Sequence, residues 1–109
     1  MNEEEFVKVA DVFGYEGYVN AQPEGTYIRI PFKNGFSASV VRNLFSYGHE
    51  NGLWEMALIQ TKSGKMVKGF RIHKYIIDFP DDDSVVGYLN EERVKDILNQ
   101  MSMLPRVLE

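Results

Sequence analysis

The stretch FSASVVRNLFSYGHENGLWEMALIQ, residues 36–60, decides how the chain is read. Val40, Val41, Leu44 and Phe45 precede a glycine-punctuated loop, and Leu53, Trp54, Met56, Leu58 and Ile59 follow it. So many β-branched and aromatic side chains suit a pleated, half-buried surface better than a helix, and the stretch predicts two strands. The loop over residues 46–52 is too long for a two-residue hairpin, and Gly48 and Gly52 permit a left-handed backbone.

Working outward, residues 26–33 alternate, with Ile28, Ile30 and Phe32 on one face and Tyr27, Arg29 and Pro31 on the other. Pro31 cannot donate to a ladder, which predicts an edge position. Asn34-Gly35 is the strongest short hairpin signal. A two-residue turn there pairs Ile30 with Ser39 and Ile28 with Val41, and sets Tyr27 opposite Arg42 on the outer face. On the other side, a three-residue loop with Gly64 left-handed sets Met56 opposite Phe70, Trp54 opposite Ile72 and Glu55 opposite Arg71. That register matches apolar with apolar and charge with counter-charge; a two-residue Ser63-Gly64 turn would oppose Met56 to Arg71. Residues 66–79 are β-prone throughout and read as one bent strand or two short ones.

The ends read as helices. In residues 3–13, EEEFVKVADVF, Phe6, Val9, Ala10 and Phe13 fall at helical spacing. Asn2 is a candidate N-cap, the glutamates favour the positive end of the dipole, and Gly14 is a stop. Residues 15–25 then form a loop. After Pro80, Val85–Leu89 is an apolar connector, and Asn90 caps a helix over residues 91 to about 101 with Val94, Ile97, Leu98 and Met101 as its buried stripe. The expected fold is a single α+β domain over residues 1–109. It comprises an N-terminal helix and loop (1–25), a four- to five-stranded antiparallel curled meander (26–79), a connector and C-terminal helix packed on one sheet face (80–104), and a tail (105–109).

With 44% apolar residues in 109, the chain is globular, and the absence of cysteine excludes a disulfide scaffold, a thiolate zinc site and a cysteine nucleophile. The start, MNEEE, is acidic where a signal peptide needs a basic segment, and no apolar run approaches bilayer length. A cytoplasmic protein with no membrane partner is expected. The net charge of −4 conceals a segregated layout. Residues 1–25 carry six acids against Lys8, residues 26–76 eight bases against Glu50 and Glu55, and residues 77–109 eight acids against three bases. Either acidic helices pack beside a basic sheet, or a basic sheet face meets an acidic partner.

Candidate chemistry is sparse. His49-Glu50 could act as base or ligand, but residues 49–53 read His-Glu-Asn-Gly-Leu, not a zinc HExxH signature. Asp81-Asp82-Asp83 are consecutive, whereas cation loops interleave their carboxylates, so a solvated acidic turn is the simpler reading. Lys62, Lys65, Lys68, Arg71 and Lys74 interleave with Phe70, His73 and Tyr75, a composition that suits single-stranded nucleic acid. A spacing of three alternates faces on a strand, however, and lysines also protect sheet edges. No nucleophile elbow or phosphate-binding glycine loop is present. No enzyme activity and no cofactor or metal are expected.

Ser37-Ala38-Ser39-Val40-Val41-Arg42, Ser46-Tyr47-Gly48 and Gly52-Leu53-Trp54-Glu55-Met56-Ala57 resemble segments of a group of small phage-encoded proteins. The run from Val85-Val86-Gly87-Tyr88-Leu89 through Asn90 to Val94 is similar to their closing connector and helix. The group has no assigned activity, so no functional residue transfers. The resemblance implies a phage or prophage product acting in a bacterial host's cytoplasm. The expected function is therefore a non-catalytic accessory protein, monomer or homodimer, that binds a host or phage protein, with inhibition (for example of a host defence system) a natural mode. The alternative is a nucleic-acid-binding module using the basic hairpin of residues 62–75. The expected binding surfaces are the 47–51 loop, with Tyr47, His49, Glu50 and Asn51, and the outer face with Tyr27, Arg29 and Arg42, joined by Lys68 and Arg71.

Overall fold

The computed structural model describes residues 5–69 and 84–107. Its elements are strands β1 (Val7–Val12), β2 (Tyr15–Gln22), β3 (Gly25–Pro31), β4 (Phe36–Asn43), β5 (Trp54–Gln60) and β6 (Val85–Leu89), then helix α1 (Glu91–Ser102). Every strand pairs antiparallel with its sequence neighbours, giving a six-stranded meander in chain order. The expected α+β arrangement of four or five strands between two helices is thus corrected: among the described residues no helix precedes the sheet, and β1, β2 and β6 arise where a helix, a loop and a connector were expected.

The reason for the first difference lies in β1. Val7 and Val9 pair with Val19 and Gly17, whereas Val12 pairs with Tyr15, so Ala10 and Asp11 together oppose Glu16. This bulge inserts one residue into a period of two, and the result mimics the three-to-four spacing of a helix. Three valines in six residues favour the strand, and a helix this short is marginal alone. Phe13 (φ 53) and Gly14 (φ 89) are both left-handed, as a type I′ hairpin requires. The Phe13 ring meets Trp54 edge-on, centroids 5.5 Å apart, and so anchors the turn on the core.

Both internal hairpins differ in register from the turn-based expectation. The Phe32 N–H bonds Phe36 O at 2.8 Å, so the β3–β4 loop has three residues, Lys33, Asn34 and Gly35, with Gly35 left-handed (φ 89). Ile28 consequently pairs with Val40 and Ile30 with Ala38. All four are buried, so the core set the register over the short turn. Pro31 ends an interior strand, not an edge: β2 pairs with β3 only as far as Arg29. After β5, Gln60 bonds Lys65 and Ile59 bridges Met66, leaving a four-residue loop with Gly64 left-handed as expected. The expected partners of Met56 and Trp54, Phe70 and Ile72, give way to Val86 and Leu89 of β6. Residues 70–83 lie outside the described part.

Helix α1 matches expectation closely. The Asn90 side chain accepts the Arg93 N–H at 2.8 Å, and Val94, Ile97, Leu98 and Met101 are fully buried. They pack across β4, β5 and β6 onto a core that includes Ile28, Ile30, Ala38, Val40, Trp54, Met56, Leu58 and Leu89. At about 1.5–3 kcal/mol per buried aliphatic side chain, those four contribute about 6–12 kcal/mol, which a helix of this length needs. At its far end, the Asn34 Nδ2 donates to the carbonyls of Met101 (2.9 Å) and Leu104 (3.1 Å), and the Val107 N–H bonds Asn34 O at 2.8 Å. Among the described residues, no helix is long and apolar enough to cross a membrane.

Candidate functional site

Strand β4 ends in a tight turn fixed by its own side chains. The Asn43 Oδ1 accepts the Phe45 N–H (2.9 Å), the Ser46 Oγ accepts the Asn43 N–H (2.9 Å), and the Ser46 N–H reaches Asn43 O (3.2 Å). Asparagine and serine supply this geometry routinely. The turn's central positions hold Leu44 and Phe45, which are 62% and 87% exposed. Turn geometry asks for no large apolar residue there.

Beside them, Tyr47 stacks on Tyr88 with centroids 6.3 Å apart and planes 27° from parallel. Tyr88 sits in a second bulge: Trp54 pairs with Leu89 and Met56 with Val86, so Gly87 and Tyr88 share Glu55. The bulge places Tyr88 at φ 59, which costs a side chain about 1–2 kcal/mol. A Cβ on Gly87 would stand 2.4 Å from the Tyr47 Cβ, so only glycine admits the stack. The Tyr88 N–H donates to Tyr47 O, and the Tyr47 N–H to the Glu55 carboxylate, both at 3.3 Å. Packing therefore holds a strained backbone in place, and two half-exposed tyrosine rings result.

A 3-10 turn, His49–Asn51, completes this end between left-handed Gly48 and Gly52. The His49 Nδ1 lies 2.9 Å from Ser46 O; a carbonyl only accepts, so this nitrogen carries the proton. Glu50 Oε2 is 3.1 Å from the same nitrogen, and Glu50 and Asn51 are exposed. Among the described residues, no three His, Cys, Asp or Glu side chains converge as a metal-binding group. His73 and the run Asp81-Asp82-Asp83 fall outside the described residues.

The sheet face opposite α1 carries a cleft of about 290 Å³. Tyr27, Ser39, Val41, Asn43, Glu55 and Ala57 line it from β3, β4 and β5, together with Phe45, Met66 and Val85. Tyr27 lies here as expected, its hydroxyl accepting from Asn43 Nδ2 at 3.0 Å. Arg29 lies on the same face. Arg42 does not. It pairs with Thr26, shares the core face with Val40, lays its guanidinium 4.2 Å from the Trp54 centroid and donates to Gly52 O. One residue of register carries it across the sheet. Glu55, opposite Val41, stands on the outer face instead.

The structure thus gathers Tyr47, His49, Glu50 and Asn51 at one end of the sheet, with Arg42 bonded to the same loop at Gly52, and places Tyr27 beside the cleft on the face that Arg42 does not share. Lys68 is exposed beyond the Met66 bridge, and Arg71 lies outside the described residues. Sequence reading missed Leu44, Phe45, Tyr88 and Glu55 as surface features. The available signal was Asn43 and Ser46 bracketing two apolar residues, a turn pattern inside an apparent strand. No protein-family model matches this chain, and no curated protein or solved structure matches it.

Proposed function

We propose that the chain is a non-catalytic binding protein that docks on a protein partner through the corner formed by Leu44, Phe45, Tyr47 and Tyr88. The observation that carries this reading is the exposure of four large apolar side chains on two adjoining segments, one of them held at a left-handed φ. Scattered single apolar residues are ordinary on a surface, whereas a cluster marks an interaction site. Tyrosine and phenylalanine are also the side chains that anchor interfaces, since they bury large area at low entropic cost. The His49–Glu50 pair, by contrast, is a loop contact in which the Ser46 carbonyl and the Glu50 carboxylate share one imidazole nitrogen, and among the described residues no metal-binding group converges on it.

The phage resemblance supplies the setting for this proposal: a cytoplasmic factor in a bacterial host, acting on a host or phage protein, with inhibition of the partner as its mode. The test is capture from bacterial lysate with tagged wild type and with a Phe45→Ser, Tyr88→Ala double variant, each with and without nuclease. A protein retained after nuclease treatment and lost with the double variant supports the reading. Capture that the double variant leaves unchanged overturns it. Recovery of nucleic acid alone, abolished by nuclease, transfers support to the basic segment at Lys62, Lys65 and Lys68.

A further inference from the structure

We infer that the cleft beside the aromatic corner receives a lysine or arginine side chain from the protein partner, with its cation on the Glu55 carboxylate. This deepens the proposed docking and rests on it. Phe45 belongs to both features, since it is exposed at the corner and lines the cleft, so a partner that covers Phe45 also reaches the cleft. Glu55 is already half-buried at the cleft wall. Its carboxylate accepts the Tyr47 N–H, and among the described residues no cation pairs with it. Removing the remaining water from that carboxylate is costly unless a donor replaces it, and a cation compensates best.

The walls select the same occupant. Val41, Ala57, Met66 and Val85 offer an apolar lining for an aliphatic stem, and Tyr27 and Phe45 add aromatic rings to the same lining as Glu55. Ser39 adds a hydroxyl acceptor on the wall. Lysine and arginine match this sequence of apolar stem and charged end, and a guanidinium also packs well on aromatic faces. The partner's chemistry at this point is basic, opposite in sign to the acidic partner that one of the two readings of the linear charge layout offered.

The experiment titrates 15N-labelled protein with N-acetyl-arginine amide and, in parallel, with N-acetyl-citrulline amide, which keeps shape and loses charge. Saturable shifts at the Ser39, Val41 and Ala57 amides are expected with the arginine compound. Citrulline, and arginine with the Glu55→Gln protein, are expected to bind at least about tenfold more weakly. Equal binding of citrulline, retention of arginine binding by Glu55→Gln, or the absence of arginine shifts at those amides overturns the inference. The titration needs no partner, so it is independent of the capture experiment. A partner captured through Phe45 and Tyr88 but indifferent to Glu55→Gln would leave the docking reading standing and refute this one.

Discussion

Asn34→Ala removes the side chain that ties the β3–β4 turn to the end of α1. Three well-formed hydrogen bonds go with it: Nδ2 to Met101 O at 2.9 Å, Nδ2 to Leu104 O at 3.1 Å, and the Phe36 N–H to Oδ1 at 3.1 Å. Each contributes about 1 kcal/mol net, and the carbonyls left behind are partly buried, so the expected loss is about 2–3 kcal/mol. For a domain of this size, about 4–8 °C per kcal/mol lowers Tm by about 10–20 °C, read by circular dichroism. Asn34→Asp sharpens the test. It keeps the acceptor for Phe36 but directs a carboxylate at carbonyl oxygens on the negative end of α1. Its folded-state pKa is therefore raised, so its ionised form opposes folding at neutral pH. The deficit against wild type should shrink as pH falls below about 5, where the protonated acid can donate again. A loss under about 0.5 kcal/mol for both variants would show that the turn does not cap the helix.

Four further outcomes are expected. Gly87→Ala pushes a Cβ to 2.4 Å from Tyr47, so it should disrupt the Tyr47–Tyr88 stack, destabilise the fold by about 1–3 kcal/mol and weaken partner capture; unchanged capture would detach the stack from function. Leu98→Ala, at a fully buried site under the sheet, should cost about 2–5 kcal/mol in urea unfolding. Arg42→Ala should cost only about 0.5–1 kcal/mol while exposing Trp54, read as a red shift of the sole tryptophan's fluorescence; no shift would mean that the guanidinium does not cover the ring. The Lys8 ammonium lies 2.6 Å from Glu16, and that hydrogen bond, with the charges of Glu16 and Tyr18, raises its pKa above 10.5. A raised lysine pKa stabilises the fold at neutral pH and ceases to do so as pH climbs through the raised value, so Lys8→Met should flatten the alkaline limb of a stability–pH curve.

What was legible follows the length over which a pattern repeats. Helix α1 carries its cap at Asn90 and its stripe at Val94, Ile97, Leu98 and Met101 over three turns, and every one of these is placed as read. The β4–β5 pair was equally plain, because Val40, Met56 and Leu58 declare a buried sheet at its centre. The N-terminus failed for a physical reason: a bulge at Ala10 and Asp11 breaks the period of two, and the chemistry of a helix start at Asn2 and three glutamates reinforced the wrong choice. Gly14 was read as a stop when it is half of a hairpin, since glycine serves both purposes equally well. Strand β6 was too short to show a period at all, and its pairing to β5 is a long-range event across residues 61–84.

The site was less legible than the fold, and the difference turns on register. Charges in residues 26–76 sum to a strongly basic stretch, yet a sheet sorts its residues by alternation and not by position along the chain. Shifting β4 by one residue moves Arg42 from the outer face to a stack on Trp54, and β5 then brings Glu55 to the cleft wall. The charge at the cleft wall, that of Glu55, therefore differs in sign from the charge counted along the segment. The aromatic corner was hidden by a related ambiguity. Leu44 and Phe45 continue the apolar run of β4, and only the hydrogen bonds of Asn43 and Ser46 turn them outward. Apolar residues in a strand are explained by the core, whereas the same residues at the tip of a turn gain nothing from the fold. Their exposure opposes solubility without aiding stability, which is the physical ground for assigning them to a partner.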